Sequence, residues 1–139
     1  MSNPNGDRGR RWEKAIVDYL RPHLGRQNVV KPRQEGYIDV GDVHASPFVL
    51  QAKDEASHNF SGYINDAEKQ AAAAEEDFGV AVVKRRNYGP GKAYVIHTFA
   101  SFTRLVLRLR RAEALLLRAS PEMFDQHTAL NKSEKENIQ

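Results

Sequence analysis

The chain has 139 residues, with 21 Lys and Arg against 18 Asp and Glu, and no cysteine. This length suits one domain with a single core, and the lack of cysteine excludes disulfides and thiolate metal sites. No run of about 18 apolar residues predicts a membrane span. Residues Met1 to Gly9 are polar and lack the apolar stretch of a secretory signal. We therefore expect a cytoplasmic protein.

The positive charge is concentrated in clusters, although the net charge is only +3. Such clusters suit a polyanion such as nucleic acid, and the alternative for any one of them is an ordinary solvated face. The same two interpretations apply to Lys69 and Gln70. The clusters comprise Arg8, Arg10, Arg11 and Lys14; Lys31 and Arg33; Lys84, Arg85 and Arg86; and Arg104, Arg108, Arg110 and Arg111.

The first half of the chain is predicted to contain one helix and three strands. Apolar residues at three- and four-residue steps predict an amphipathic helix from Asp7 to Leu24. The segment from Asn28 to Arg33 carries two adjacent valines and is interpreted as a short strand. The stretch from Tyr37 to Lys53 is typical of two strands joined by a turn at Ala45 to Pro47.

The second half is predicted to alternate helices with strands. Phe60 to Phe78 is rich in alanine and other helix formers, which predicts a helix. Val80 to Val83 is a β-branched run typical of a buried strand, and Ala93 to His97 is interpreted as a further strand. Phe99 to Ala119, with leucines and arginines at helical spacing, predicts the last helix.

The predicted order is helix, three strands, helix, two strands and helix. The connection from Lys53 to Val80 contains a helix and therefore implies one parallel strand pair. We predict an α/β fold in which a mixed β-sheet of about five strands is flanked by helices. Residues 1–120 are expected to form this single domain, and the polar residues 121–139 are expected to be a disordered C-terminal tail.

Polar residues on the predicted hairpin converge on one place. Asp42 ends the first strand, while Gln51 and Lys53 lie two residues apart on the second and so point to one face. Hard divalent cations such as Mg²⁺ need oxygen ligands, which the Asp42 carboxylate, the Gln51 side chain and the Ala52 backbone carbonyl can supply. Lys53 is then placed to orient an attacking water or to offset charge on a phosphate.

A carboxylate on the first predicted helix is a further candidate. Glu13 lies at helical spacing from Ile16 and Leu20, which puts it on the inward-facing side of the helix. A carboxylate there is costly without a partner, and a metal reached directly or through water would be one. The alternative is an ion pair with Arg10 or Lys14.

Asp39 competes with Asp42 for the metal. It precedes Asp42 by three residues, so on a regular strand it faces the other side, and a bend at Gly41 is needed to bring both inward. We assign Asp42 as the ligand. Asp39 is interpreted as an acid that supports the metal ligands without binding the metal itself, or as a turn residue near Lys31 or Arg33.

These features together resemble the PD-(D/E)XK nuclease superfamily and, within it, the small Holliday junction resolvases of archaea and phages. The resemblance covers Arg8 to about Leu105. It rests on Arg8-Gly9-Arg10-Arg11 before Glu13, on Asp39-Val40-Gly41-Asp42-Val43, on Gln51-Ala52-Lys53 after a turn with proline, and on Val80-Ala81-Val82-Val83-Lys84-Arg85-Arg86.

The resemblance implies a restriction-endonuclease-like core and a homodimer that nicks four-way or other branched DNA in recombination and repair. It also implies Mg²⁺, for which Mn²⁺ can substitute, without an organic cofactor, in a bacterial or phage-infected cell. Catalytic roles carry over to Glu13, Asp42 and Lys53. The residues expected to contact DNA are Arg8, Arg10, Arg11, Lys14, Lys84, Arg85 and Arg86.

Gln51 departs from the family pattern, which usually has Glu or Asp there. An amide keeps an oxygen ligand but removes a negative charge, so lower metal affinity is expected. Three explanations stay open: a natural variant, which we favour, a degraded enzyme retained for DNA binding, or an engineered Glu-to-Gln change. The competing functions are accordingly a catalytically weakened DNA-binding protein on the same fold, and a restriction or recombination nuclease acting on other DNA.

Overall fold

The structure, a computed structural model, describes residues 3–33 and 36–138. The chain forms two compact units, Met1–His97 and Thr98–Gln139. The first unit contains helices α1 (Pro4–Leu24) and α2 (Phe60–Ala73) and strands β1 (Val43–Ala45), β2 (Phe48–Lys53), β3 (Phe78–Val83) and β4 (Tyr94–Ile96). The second unit contains helices α3 (Phe99–Ala119) and α4 (Pro121–Asn137).

The sheet of the first unit is mixed and has the strand order β1-β2-β3-β4. Strands β2 and β3 are parallel and are joined through α2, as predicted, while β1 and β4 pair antiparallel at the two edges. The register places Gln51 beside Ala81 and Lys53 beside Val83. The predicted α/β class with a mixed sheet flanked by helices is confirmed.

The sheet has four strands within the described residues, rather than about five. The segment predicted as a strand from Asn28 to Arg33 makes only an isolated bridge between Val30 and His44. Its first residue ends a 3₁₀ turn, and the Arg21 guanidinium donates to the Val29 carbonyl at 3.3 Å. An antiparallel ladder through Val30 would next use Asn28 and Pro32. The Asn28 N–H already donates to the Gly25 carbonyl and Pro32 has no N–H, so the ladder does not extend beyond the bridge.

Helix α1 packs on one face of the sheet. Its buried residues Trp12, Ile16 and Val17 belong to one core cluster with Leu50 and Val82. The Asn3 side chain caps the helix by accepting from the N–H groups of residues 5 and 6. The helix therefore begins three residues before the predicted start, and Arg8 near its beginning donates to the Asp54 carbonyl directly after β2.

Helix α2 packs on the opposite face, because Tyr63 joins a core cluster with Ala81 and Val83, which alternate along β3 with the residues that face α1. A Cβ atom on Gly79 would lie 2.1 Å from the Ala67 carbonyl oxygen, so the helix backbone nearly touches the strand. The predicted helix to Phe78 was too long. It ends at Ala73 because Glu75 has a positive φ and Phe78 already belongs to β3.

The second unit is a pair of helices. Helix α3 has the predicted bounds, but residues 121–137 form α4 where a disordered tail was expected. The Ser120 side chain accepts from the Met123 N–H and Pro121 occupies the first turn, a start signal that the polar composition concealed. The boundary between the two compact units lies between residues 97 and 98, whereas the sequence predicted a boundary at residue 120. Residue 139 lies outside the described residues.

None of the helices within residues 3–33 and 36–138 is both long and apolar enough to cross a membrane.

Candidate functional site

Asp42 lies directly before β1, at the end of the β1–β2 hairpin. Its N–H donates to the Leu50 carbonyl at 3.2 Å, and its Oδ2 atom accepts from the Ala52 N–H at 2.8 Å. Val43, the first residue of β1, pairs with Leu50, so Asp42 lies beside the segment of β2 that contains Leu50 and Ala52. The structure therefore brings Asp42 to the backbone of the two residues that flank Gln51, although Asp42 lies in a bend rather than in a strand.

Gln51 is buried without a full set of partners. Its side chain is on the α2 face of β2, the residue is 6% exposed, and its Oε1 atom has no hydrogen-bond partner among the described residues. A buried amide oxygen without a partner costs roughly 1–3 kcal/mol. This oxygen belongs to the residue before Ala52, whose N–H donates to Asp42, and an amide oxygen is a type of ligand that a hard divalent cation accepts.

Three further charged groups act on the Asp42 carboxylate. Burial raises the pKa of Asp42 above its ordinary value, and the negative charges of Glu13 and Asp39 raise this pKa further. The Ala52 N–H and the positive charge of Lys53 oppose this rise. Glu13, Asp39 and Lys53, all named from the sequence as candidates, therefore surround Asp42 closely enough to change its ionisation.

Lys53 is held by two residues that sequence reasoning did not assign to the site. Its Nζ atom lies 3.9 Å from Oε1 of Glu55 and 5.1 Å from the ring centre of Tyr63. The Tyr63 hydroxyl donates to the Glu55 carboxylate, and burial together with this carboxylate raises the pKa of Tyr63. Glu55 lies two residues beyond the end of β2 and Tyr63 lies on α2, so no periodic pattern in the sequence linked either residue to Lys53.

Glu13 is half-buried on α1 and pairs with Lys31, whose Nζ atom lies 3.2 Å from Oε2 of Glu13. The alternative partners proposed from the sequence make other contacts: Arg10 pairs with Asp7, and Lys14 pairs with Asp18. The position of Glu13 on the inner side of the helix is thus observed, with a lysine from outside the helix as its partner.

Asp39 is fixed by two hydrogen bonds. Its Oδ1 atom accepts from the Gly41 N–H at 2.9 Å, and its Oδ2 atom accepts from Nε2 of Gln70 on α2 at 2.7 Å. The bend that the sequence required occurs at Gly41, which has a φ of 92° and whose Cβ would lie 2.3 Å from Val49. Gln70, interpreted from the sequence as groove-lining or solvated, is 4% exposed.

The basic residues divide into two groups. One group lines a basic groove made of three adjoining clefts of about 720, 520 and 240 Å³. The first cleft shares Arg8 and Asp54 with the second, and it shares Lys84 and Arg86 with the third. Lys53 lines the second cleft, so the groove reaches the site. Of the residues expected to contact DNA, the groove is lined by Arg8, Arg11, Lys84, Arg85 and Arg86.

Contacts within the first unit order part of this basic groove. Arg8 donates to the Asp54 carbonyl at 3.0 Å, and Lys84 lies 3.7 Å from the Asp54 carboxylate. Arg10 and Lys14 behave differently, since their side chains are 69% and 74% exposed and pair with acids on the same helix. These two residues are consistent with the solvated-face alternative rather than with the groove.

Within the described residues, no three His, Cys, Asp or Glu side chains cluster closely enough to hold a metal ion. Any cation at this place would therefore depend on mixed ligands, namely one carboxylate, one amide oxygen and one backbone carbonyl. Comparisons of the chain with protein-family models, with curated proteins and with solved structures found no match.

Proposed function

We propose that this protein is a Mg²⁺-dependent DNA endonuclease of the PD-(D/E)XK type, and that its substrate is branched DNA such as a Holliday junction. The observation that carries the proposal is the buried Oε1 atom of Gln51, which has no hydrogen-bond partner among the described residues. Gln51 directly precedes Ala52, whose N–H donates to Asp42, and Lys53 lies two residues further along β2. A restriction-endonuclease-like arrangement of the core is part of the proposal.

The residues that would hold the cation are Asp42, Gln51 and the carbonyl of Ala52, with Glu13 reaching it through water. The N–H and C=O groups of one strand residue point the same way. Because the Ala52 N–H donates to Asp42, the Ala52 carbonyl is directed toward the Asp42 side of β2. A bound Mg²⁺ or Mn²⁺ would polarise a phosphoryl oxygen and lower the pKa of a bound water.

The proposed role of Lys53 is to offset the negative charge that develops on the phosphate during hydrolysis. The side chain is restrained on one side by the Tyr63 ring and by Glu55, which reduces the number of positions that its ammonium group can take. A restrained cation needs less reorganisation when the phosphate charge increases, which is the physical basis of its contribution.

The basic groove is proposed to bind DNA phosphates, which position a substrate without reading its sequence. The groove leads along Arg8, Lys84 and Arg86 to the cleft lined by Lys53. Recognition through phosphates and shape suits a structure-selective nuclease better than a sequence-specific one.

Two symmetric nicks require two sites, so the proposal includes a homodimer. The second unit offers exposed apolar residues for this purpose, since Leu109, Leu115 and Leu117 on α3 are 45–66% exposed. Leu105 and Leu116 on the same helix are half-buried. Sedimentation equilibrium of the full chain tests this part of the proposal, and a monomer at micromolar concentration contradicts it.

The cleavage test uses four-way junctions, flaps and linear duplexes of equal length, each with Mg²⁺ or Mn²⁺. Junction cleavage by the native chain, lost in Lys53→Ala, supports the proposal. Cleavage of the linear duplex alone favours a restriction or recombination nuclease. Junction binding without cleavage, combined with cleavage by Gln51→Glu, identifies the second candidate function, a catalytically weakened DNA-binding protein that the amide at residue 51 favours.

A further inference from the structure

The proposed cation site is short of negative charge. Asp42 is its single carboxylate ligand, and the other two oxygen donors, from Gln51 and the Ala52 backbone, are neutral. Glu13, proposed to reach the cation through water, does not remove this shortage, because Lys31 lies 3.2 Å from its carboxylate and offsets its charge. A divalent cation held by these groups would therefore keep half of its charge uncompensated in a partly buried place, where uncompensated charge is costly. A second negative charge at a fixed position beside Asp42 would remove this deficit.

Asp39 is the acid that the structure fixes nearby. Both of its carboxylate oxygens accept hydrogen bonds, one from the Gly41 N–H and one from Gln70. Because Gly41 adopts a left-handed φ, the chain bends between Asp39 and Asp42. Asp39 lies close enough to Asp42 for its negative charge to raise the pKa of Asp42. An exposed loop acid would normally move freely, whereas this one is held at a defined place.

Gln70 is the group that holds it. The residue is 31 positions further along the chain, is 4% exposed and directs its Nε2 atom to Asp39. Its Oε1 atom has no hydrogen-bond partner among the described residues and lies 3.5 Å from the position of a Cβ on Gly41. The side-chain oxygens of two buried glutamines, Gln51 and Gln70, thus lack hydrogen-bond partners among the described residues. Both lie between the β1–β2 hairpin and α2, and buried oxygens of this kind point to a ligand.

We infer that Gln70 is a positioning residue that holds Asp39 beside Asp42. Asp39 then supplies the second negative charge that a divalent cation lacks at this site because residue 51 is a neutral glutamine. This inference rests on the proposed function. Asp39 acts through its charge and through water rather than as a direct ligand, in agreement with the absence of a three-acid cluster in the described residues.

The test is the binding of MnCl₂ to the full chain, measured by titration calorimetry in four forms: native, Asp39→Asn, Gln51→Glu and the double variant. Loss of a group that supports metal ligands costs about 10–100-fold in affinity, and we expect a loss in this range for Asp39→Asn. In the Gln51→Glu background residue 51 already supplies a second carboxylate, so Asp39→Asn should lower the Mn²⁺ affinity by less than about threefold.

Asp18→Asn, which removes an exposed acid from α1, serves as the matched control and should leave Mn²⁺ affinity unchanged. Gln70→Met keeps the side-chain volume but cannot hold Asp39, so it should weaken Mn²⁺ binding about as much as Asp39→Asn, with no further loss when the two are combined. If Gln70→Met does not fold, the Asp39→Asn comparison remains decisive, because the introduced amide retains an acceptor for the Gly41 N–H.

Equal Mn²⁺ affinity in the native and Asp39→Asn forms overturns the inference and leaves the proposed function standing. An equal loss in both backgrounds also overturns it, because Asp39 would then not be compensating for the amide. If neither the native chain nor Gln51→Glu binds Mn²⁺, the proposed function fails and the inference fails with it.

Discussion

The backbone N–H of Ala52 donates a 2.8 Å hydrogen bond to Oδ2 of Asp42. This bond ties a carboxylate at the start of one strand to the peptide of the neighbouring strand, so the orientation of Asp42 depends on the sheet itself. The burial of the group and, to a lesser extent, the neighbouring negative charges make its ionised form costly in the absence of a cation.

Asp42→Asn should therefore stabilise the protein at neutral pH while abolishing cleavage. The pKa of Asp42 is raised above 3.8, so the folded protein holds this proton more tightly than the unfolded chain does. Unfolding free energy consequently falls as pH increases from about 3.8 through the folded pKa. The substitution removes this loss and keeps an acceptor for the Ala52 N–H.

Thermal unfolding without divalent ions checks this expectation. The melting temperature of Asp42→Asn should exceed that of the native chain at pH 7, and the difference should shrink at about pH 3.5, where the native carboxyl is mostly protonated. A lower melting temperature at pH 7 would show that the charged carboxylate stabilises the fold.

Lys53→Ala should reduce junction cleavage by about 10²–10³-fold, the usual cost of removing one preorganised donor at a developing charge. Junction affinity should change by less than about threefold, because the groove carries most of the proposed phosphate contacts. Single-turnover cleavage and gel-shift binding separate the two effects. Unchanged cleavage would remove Lys53 from the site.

Substitution of groove arginines should weaken DNA binding in a salt-dependent way. Each lost phosphate contact lowers the slope of log affinity against log salt by about 0.9, so Arg11→Ala/Arg86→Ala should lower it by about 2. Arg10→Ala/Lys14→Ala, which removes the same charge from exposed positions, is the matched control and should change the slope little. Equal effects of the two pairs would contradict the assignment of the groove.

Gly79→Ala should destabilise the first unit by roughly 1–3 kcal/mol, because an added Cβ atom meets the Ala67 backbone at 2.1 Å and the helix must move away from the sheet. Gly89→Ala adds the same atom where nothing lies within 4 Å and should be nearly neutral. Urea unfolding measures both. A neutral Gly79→Ala would show that α2 sits farther from β3.

Local patterns along the chain predicted much of this arrangement. Helical spacing predicted α1 and α3, and two-residue alternation placed Gln51 and Lys53 on one face of β2. The β-branched run at Val80 predicted a buried strand, and all six residues of β3 are buried. These features depend on neighbouring residues, which a single sequence displays directly.

The remaining features depend on residues far apart in the chain. The contacts from Gln70 to Asp39 and from Lys31 to Glu13 join segments that no periodicity relates. Helix α4 was missed for a different reason, since its capping signal at Ser120 is local but its composition is polar.

The amide at residue 51 affects how the stability of the folded protein in a cell depends on divalent ions. A carboxylate buried at this position would stand next to Asp42 and would need a proton or a cation to remain in the folded state. A neutral side chain there lets the chain fold and persist when divalent ions are scarce. The amount of folded protein should then depend less on metal supply than the activity does.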